Sequence, residues 1–248
     1  MFKGSVDFVA QIKGNGLTFP RFDFNPHEPG VDKVETEGLD GDVIRSTVYL
    51  ATVASPDDGM VLATKVNTAA LNRIAFYHNI AIENARCTRD DFSPIHHQPG
   101  VHVLVASTGR YSVTGGTVKF RVARSGERLK AQLEQAMPPG ERNYGLFRSA
   151  RLSIGPIEEF MHLYNILLML YNDKQADVDA FIIAEDPSVL QTQHPLKAPG
   201  VMETVYTRLR NELAHKRAGV NLDNTKVEMA HRLGELIKLT KRAIELHP

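Results

Sequence analysis

The sequence has one cysteine, Cys87, among 248 residues. A lone thiol closes no internal disulfide and builds no thiolate metal cluster, a usage that fits a reducing compartment. A surplus of either charge is missing too, since 29 Lys and Arg stand against 29 Asp and Glu. That balance excludes coating nucleic acid by bulk electrostatics, which needs a large basic excess, although it leaves room for a small local basic site. Long apolar runs are also absent. The longest, residues 166–171, falls far short of the roughly 20 needed to span a bilayer, and the opening MFKGSVDFVAQIKGNG lacks the apolar core of a signal peptide. A cytoplasmic protein with no membrane association is therefore expected. What remains is ordinary for a globular chain: 42% hydrophobic and 23% charged residues, long enough for one large domain or two small ones.

Two textures divide the sequence. Residues 6–12, 43–53, 101–107 and 117–123 carry alternating or β-branched runs that read as strands. Turn signals separate the strands: Gly14-Asn15-Gly16, read as a hairpin turn, Pro26 to Gly30, Ser55 to Gly59, and Gly115-Gly116. Between the second and third runs, Val66, Ala70, Ile74 and Tyr77 share one helical face over residues 61–79, and a short helix is expected over 127–137. Pro138-Pro139-Gly140 then marks a boundary, giving a β-rich mixed domain over 1–140 and a helical one over 141–248. In the second part Phe160, Leu163, Tyr164, Leu167, Leu170 and Tyr171 follow a three-and-four spacing, with Ile166, Leu168 and Met169 widening the apolar surface, so this segment must be a central helix. Val178, Phe181 and Ile182 suggest a shorter helix ending at Asp186-Pro187, followed by a proline-bearing loop. A fourth helix is expected from after Gly200 to near Gly219. A last one is expected from Thr225, where Thr225 and Glu228 match a capping box, with Val227, Ala230, Leu233, Leu236, Ile237 and Ile244 as its apolar face. The expected class is α+β, a β-rich domain followed by a bundle of four to five helices.

The fourth helix carries the chemistry. At about 100° per residue, Met202, Val205, Tyr206, Leu209 and Leu213 form its apolar stripe. Arg208, Asn211 and His215 fall within about 60° of one another on the opposite side, with Arg210 at the border. Arginine binds phosphate oxygens in a bidentate manner and histidine moves protons near neutral pH. The same residues also suit a plain solvated helix face. Lys216 and Arg217 follow directly and could extend a phosphate track.

Arg210 to His215 resembles the Arg-x4-His motif of HEPN domains, in which a polar residue, here Asn211, commonly follows the arginine. The helix order matches, and residues 160–215 are similar to bacterial proteins described as HEPN-like or as methylamine-utilisation accessory proteins of the MauJ type. The resemblance covers about 100 of the residues, those after the boundary. It implies a metal-independent endoribonuclease in a defence or toxin setting, or else a noncatalytic binding or assembly module. In the first case two protomers pair their motifs across one cleft. His215 would then handle the 2'-hydroxyl or leaving-group proton, Arg210 would stabilise charge on the scissile phosphate, and Asn211 would orient one of them. To these the helical wheel adds Arg208, and the chain order Lys216 and Arg217, as RNA-binding residues. The implied partners are a second copy of the chain and RNA or, in the module reading, a protein encoded nearby. No cofactor or metal is assigned.

Other candidates give way to plainer readings. His96, His97 and His102 could hold zinc or nickel, but they sit in a Pro- and Gly-flanked segment with no spaced Cys, Asp or Glu, and read as a solvated loop. Asp57-Asp58, Asp90-Asp91 and Glu158-Glu159 read as surface charge. Arg86 and Arg89 flank Cys87, a setting that lowers a thiol pKa, yet no partner base is identifiable. His162 reads as a packed core histidine.

Overall fold

The computed structural model describes residues 1–14, 16–38, 41–95, 121–135, 140–215 and 219–247. The expected strand over 101–107, most of that over 117–123, the Gly115-Gly116 turn, the histidines 96, 97 and 102, and the basic pair Lys216-Arg217 lie outside the described residues. The chain divides into two compact units, Met1–Pro138 and Pro139–Pro248, and the class is α+β.

In the first unit, four long strands come in succession: β1 (Phe2–Lys13), β2 (Gly16–Phe24), β3 (Val31–Gly38) and β4 (Val43–Val53). Helix α1 (Pro56–His78) follows, then β5 (Ala81–Ile82), β6 (Arg86–Pro94), β7 (Arg121–Ala123) and helix α2 (Gly126–Glu134). They form one sheet ordered β5-β1-β4-β3-β2-β7, with β6 also pairing β1; every pairing is antiparallel except β2 with β7. The period-two pattern explains which face packs. Val6, Phe8, Ala10 and Ile12 of β1 and Ile44, Val48 and Leu50 of β4 are buried together with Ala63, Val66, Ala70 and Ile74 of α1. Ser55 caps α1, accepting from the Asp58 N–H at 3.1 Å, and Pro56 occupies the first turn, where a missing N–H costs nothing. The hairpin expected at residues 14–16 is not formed: β1 registers with β4, β5 and β6, and β2 with β3 and β7. The segment crosses between non-neighbouring strands instead.

Arg73 of α1 is buried and its guanidinium caps the end of α2. It donates to the carbonyls of Leu133 at 2.7 Å, Gln135 at 3.0 Å and Gln132, groups that a helix C-terminus otherwise leaves unmet.

The second unit holds α3 (Glu141–Arg151), α4 (Pro156–Leu170) and α5 (Gln175–Glu185), a two-stranded sheet of β8 (Gln191–Gln193) and β9 (Met202–Thr204), then α6 (Val205–His215) and α7 (Leu222–Leu246). Helix α4 is central: Phe160, Leu163, Tyr164 and Leu167 are fully buried, and the Phe160 ring stacks on Tyr206 with centroids 6.3 Å apart. Three expectations need correction. Helix α6 opens at Val205, not after Gly200, because residues 191–193 and 202–204 pair as strands; Met202 is then 47% exposed and leaves the apolar stripe. Helix α7 opens at Leu222, with the Asn221 side chain accepting from the N–H groups of Asp223 and Asn224, so Thr225 is no cap and points inward. Of its expected face Leu236, Ile237 and Ile244 are buried, joined by Met229, Leu239 and Ala243, whereas Val227 and Ala230 are exposed. Lastly, His162 is not a core residue. It is exposed and bonds to Ser153 Oγ at 3.0 Å.

Among the described residues no helix is long and apolar enough to cross a membrane.

Candidate functional site

Helix α6 is fixed from below by a buried aspartate on α5. Asp179 Oδ1 accepts from the Thr204 N–H at 3.1 Å, the Thr204 hydroxyl at 2.6 Å and the Thr207 hydroxyl at 2.6 Å. The anion sits where the first turn of α6 leaves N–H groups open and the helix dipole favours negative charge. Because Thr207 gives its proton to Asp179, Tyr164 must donate to Thr207 Oγ1, 2.6 Å away. Burial pushes the Tyr164 phenol well above its ordinary pKa, keeping that proton in place.

One turn on, the polar residues of α6 separate by burial. Asn211, at 3% exposure, is enclosed rather than solvated. Its Oδ1 accepts from Gln175 Nε2 at 2.8 Å and Arg210 Nη1 at 3.0 Å, and its Nδ2 donates to Glu203 Oε2 at 3.3 Å. Arg208 is held by carboxylates, donating to Glu212 at 2.8 Å and Glu228 at 2.6 Å. Burial opposes its charge, but the two acids outweigh that and raise its pKa above the ordinary value. Glu212 in turn accepts from the inward-facing Thr225 hydroxyl at 2.7 Å. Thus Arg208 ties α6 to α7, and it lines the same cavity as His215.

Arg210 and His215 do come together. Arg210 Nη1 lies 3.2 Å from Nε2 of the exposed His215. Arginine only donates, so Nε2 is the accepting nitrogen here and the ring proton sits on Nδ1. Among the described residues, no carboxylate lies in ion-pair contact with Arg210.

His215 also borders a cavity of about 780 Å³, whose walls include Gln175, His194, Glu203, Asn211 and Val220. The sequence reading did not find His194 and Glu203: His194 lies in the segment read as a proline-bearing loop, and Glu203 in what read as the first turn of the fourth helix. The loop is ordered by its own bonds: the Gln193 side chain donates to the carbonyls of Ala198 and Val201 at 3.1 Å and accepts from the Gly200 N–H at 2.8 Å. His194 and Glu203 are buried, with Nε2 and Oε2 3.8 Å apart. Asp179 and Gln175 were missed for a different reason, because nothing in the sequence marks which polar residue of α5 faces α6. Among the described residues no group of three or more His, Cys, Asp or Glu is placed to hold a metal.

Cys87 departs from expectation. It is exposed on β6, yet partial desolvation of its sulfur, aided by Asp90 and Asp7, pushes its pKa up despite the bond to the Arg89 carbonyl. Arg89 is drawn toward Asp91 at 4.0 Å. No family model, curated protein or solved structure matches the chain.

Proposed function

We propose that α6 carries an RNA-directed site of the HEPN type, in which His215 and Arg210 act together as a metal-independent endoribonuclease. The observation that carries this reading is the contact between Arg210 Nη1 and His215 Nε2 at 3.2 Å, formed by an arginine with no carboxylate partner among the described residues. A phosphate entering beside His215 draws Arg210 onto its oxygens and releases the Nε2 lone pair. That nitrogen then takes the proton of the neighbouring 2'-hydroxyl. The 2'-oxygen bonds to phosphorus, the bond to the 5'-oxygen breaks, and the leaving oxygen takes a proton from water, giving a 2',3'-cyclic phosphate and a 5'-hydroxyl. Asn211, anchored by Gln175 and Glu203, positions the Arg210 guanidinium. Lys216 and Arg217 follow in sequence as further phosphate contacts, and a second protomer presents the same face across a shared cleft.

The test uses mixed cellular RNA in EDTA. Wild type should cut it and leave cyclic phosphate ends. His215→Ala should lose roughly 10²- to 10⁴-fold in rate with helix content unchanged, and Arg210→Ala should weaken binding, with a shallower salt dependence than wild type. Cleavage that persists in His215→Ala overturns the assignment.

A second reading has its own support. The enclosure of Asn211 and the pairing of Arg208 inside the fold suit a noncatalytic binding or assembly module, with the remaining exposed face forming a dimer or partner contact. Wild-type protein that leaves RNA intact from pH 6 to 9 favours it, and light scattering reads the dimer directly.

A further inference from the structure

His194 is buried on the cavity wall, directly after β8, where the chain begins its turn back to β9. Its two ring nitrogens meet opposite demands. The Leu196 N–H donates to Nδ1 at 3.2 Å, so Nδ1 holds a lone pair and the proton of the neutral ring is on Nε2. Nε2 lies 3.8 Å from Glu203 Oε2, a contact that becomes an ion pair only when the ring is protonated. A second proton can go only to Nδ1. The imidazolium donates from both nitrogens, and a protonated Nδ1 facing a backbone N–H sets donor against donor. Charging the ring therefore strengthens its contact with Glu203 and breaks its bond to Leu196.

We propose that residues 195–197 form a pH-operated flap on the cavity wall, held shut by neutral His194 and released when His194 takes a proton. Pro195 and Leu196 both line the cavity. Leu196 is 84% exposed, so little packing holds this stretch once the bond to Nδ1 is lost, and the remaining tie is the Lys197 N–H to the His194 carbonyl at 3.4 Å. The far arm stays fixed, because the Gln193 side chain still donates to the carbonyls of Ala198 and Val201 and accepts from the Gly200 N–H. The other ionisable groups on the wall belong to α6: Arg208 and Glu212 bond to each other at 2.8 Å, and His215 stands at the border. Lys197 rides on the flap itself, so its repulsion from a charged ring acts in the same direction as the lost bond. The flap is thus shut above the pH at which the ring charges and free below it. Histidine ordinarily changes charge within about pH 5–8. The device stands apart from the RNA-directed reading of α6, since it governs access to the cavity whatever enters it.

The test follows the nitrogen-15-labelled full chain by NMR from about pH 8 to about pH 5. The His194 ring nitrogens report tautomer and charge, and the Leu196 amide proton reports the bond. Wild type should show the Nε2–H tautomer at the upper end, and the Leu196 amide should shift upfield with the same midpoint as ring protonation. In His194→Asn the side-chain oxygen accepts from the Leu196 N–H at every pH, so that amide should stay level. Trypsin cleavage after Lys197, taken relative to a free peptide of the same sequence at each pH, reads the opening itself. It should rise in wild type by up to about tenfold per pH unit, the slope of one linked proton, and stay flat in His194→Asn. A ring that stays neutral throughout, a ring that charges while the Leu196 amide does not move, or an Nδ1–H tautomer at the upper end overturns the proposal. So does cleavage that rises equally in the asparagine variant. The wild-type titration decides these outcomes even if the variant does not fold.

Discussion

Replacing Asp179 by alanine removes the acceptor on which the start of α6 depends. Three donors lose their partner: the Thr204 N–H and the hydroxyls of Thr204 and Thr207. The hydroxyls can turn elsewhere, because Thr204 Oγ1 and Thr207 Oγ1 lie 3.4 Å apart and Thr207 Oγ1 is 2.6 Å from the Tyr164 hydroxyl. The backbone N–H cannot turn. An unmet buried donor costs about 1–3 kcal/mol, and exchanging two bonds to a carboxylate for neutral ones costs about 1 kcal/mol each. The expected loss is therefore about 3–5 kcal/mol, a large part of the roughly 5–15 kcal/mol that holds a domain together. Relief from burying a carboxylate acts the other way, which places the outcome toward the lower end. Asp179→Asn retains an accepting oxygen and should lose about half as much. Urea denaturation of the full chain, followed by far-ultraviolet circular dichroism, reads both. An alanine variant within about 1 kcal/mol of wild type at unchanged denaturant slope would refute the idea that Asp179 anchors α6.

Arg73→Met should destabilise the first unit by about 2–4 kcal/mol, since three helix-end carbonyls lose a charged donor inside the fold, and Arg73→Lys should restore less than half of that because an ammonium lacks the planar fork; chemical denaturation of each variant checks it. Cys87 should react slowly with iodoacetamide at pH 8. Its thiol pKa is raised, first by burial and then by Asp90 and Asp7, so the thiolate fraction is smaller than in free cysteine and the rate should climb to a midpoint above the ordinary value. A midpoint below that of free cysteine would show that Arg86 and Arg89 prevail after all.

Where the apolar period was regular, the sequence was enough to read the element. Strands β1 and β4 alternate cleanly because one side faces α1, and α4 shows apolar residues nearly all round because α3, α6 and α7 surround it. Strands β2, β3 and β6 escaped notice for a physical reason. Asp32, Lys33, Glu35 and Glu37 in β3, and Arg86, Arg89, Asp90 and Asp91 in β6, put charge where an apolar run would otherwise signal a strand, while Pro20 interrupts β2. Their ladders come from pairing with β4 and β1, which is a long-range property. The capping box at Thr225 shows the converse error. The local pattern was correct in form, but Asn221 caps better from four residues earlier, and Thr225 is drawn inward by Glu212.

The helical wheel of α6 treated Arg208, Asn211 and His215 as one solvated face because angle was the only coordinate available. Their surroundings vary along the axis instead. Along the middle of the helix, β9 and α7 bring Glu203 and Glu228 against it, so Arg208 and Asn211 acquire partners, the first half-buried and the second enclosed. At the last turn His215 is exposed. Arg210, off the wheel's polar centre, reaches it because a guanidinium spans the gap to Nε2. An imidazole with a half-buried guanidinium beside it therefore sits at the exposed end of a helix whose Arg208 and Asn211 are tied to neighbouring elements. That gradient gives the last turn freedom to meet a ligand while Asp179, Asn211 and Arg208 keep its backbone still.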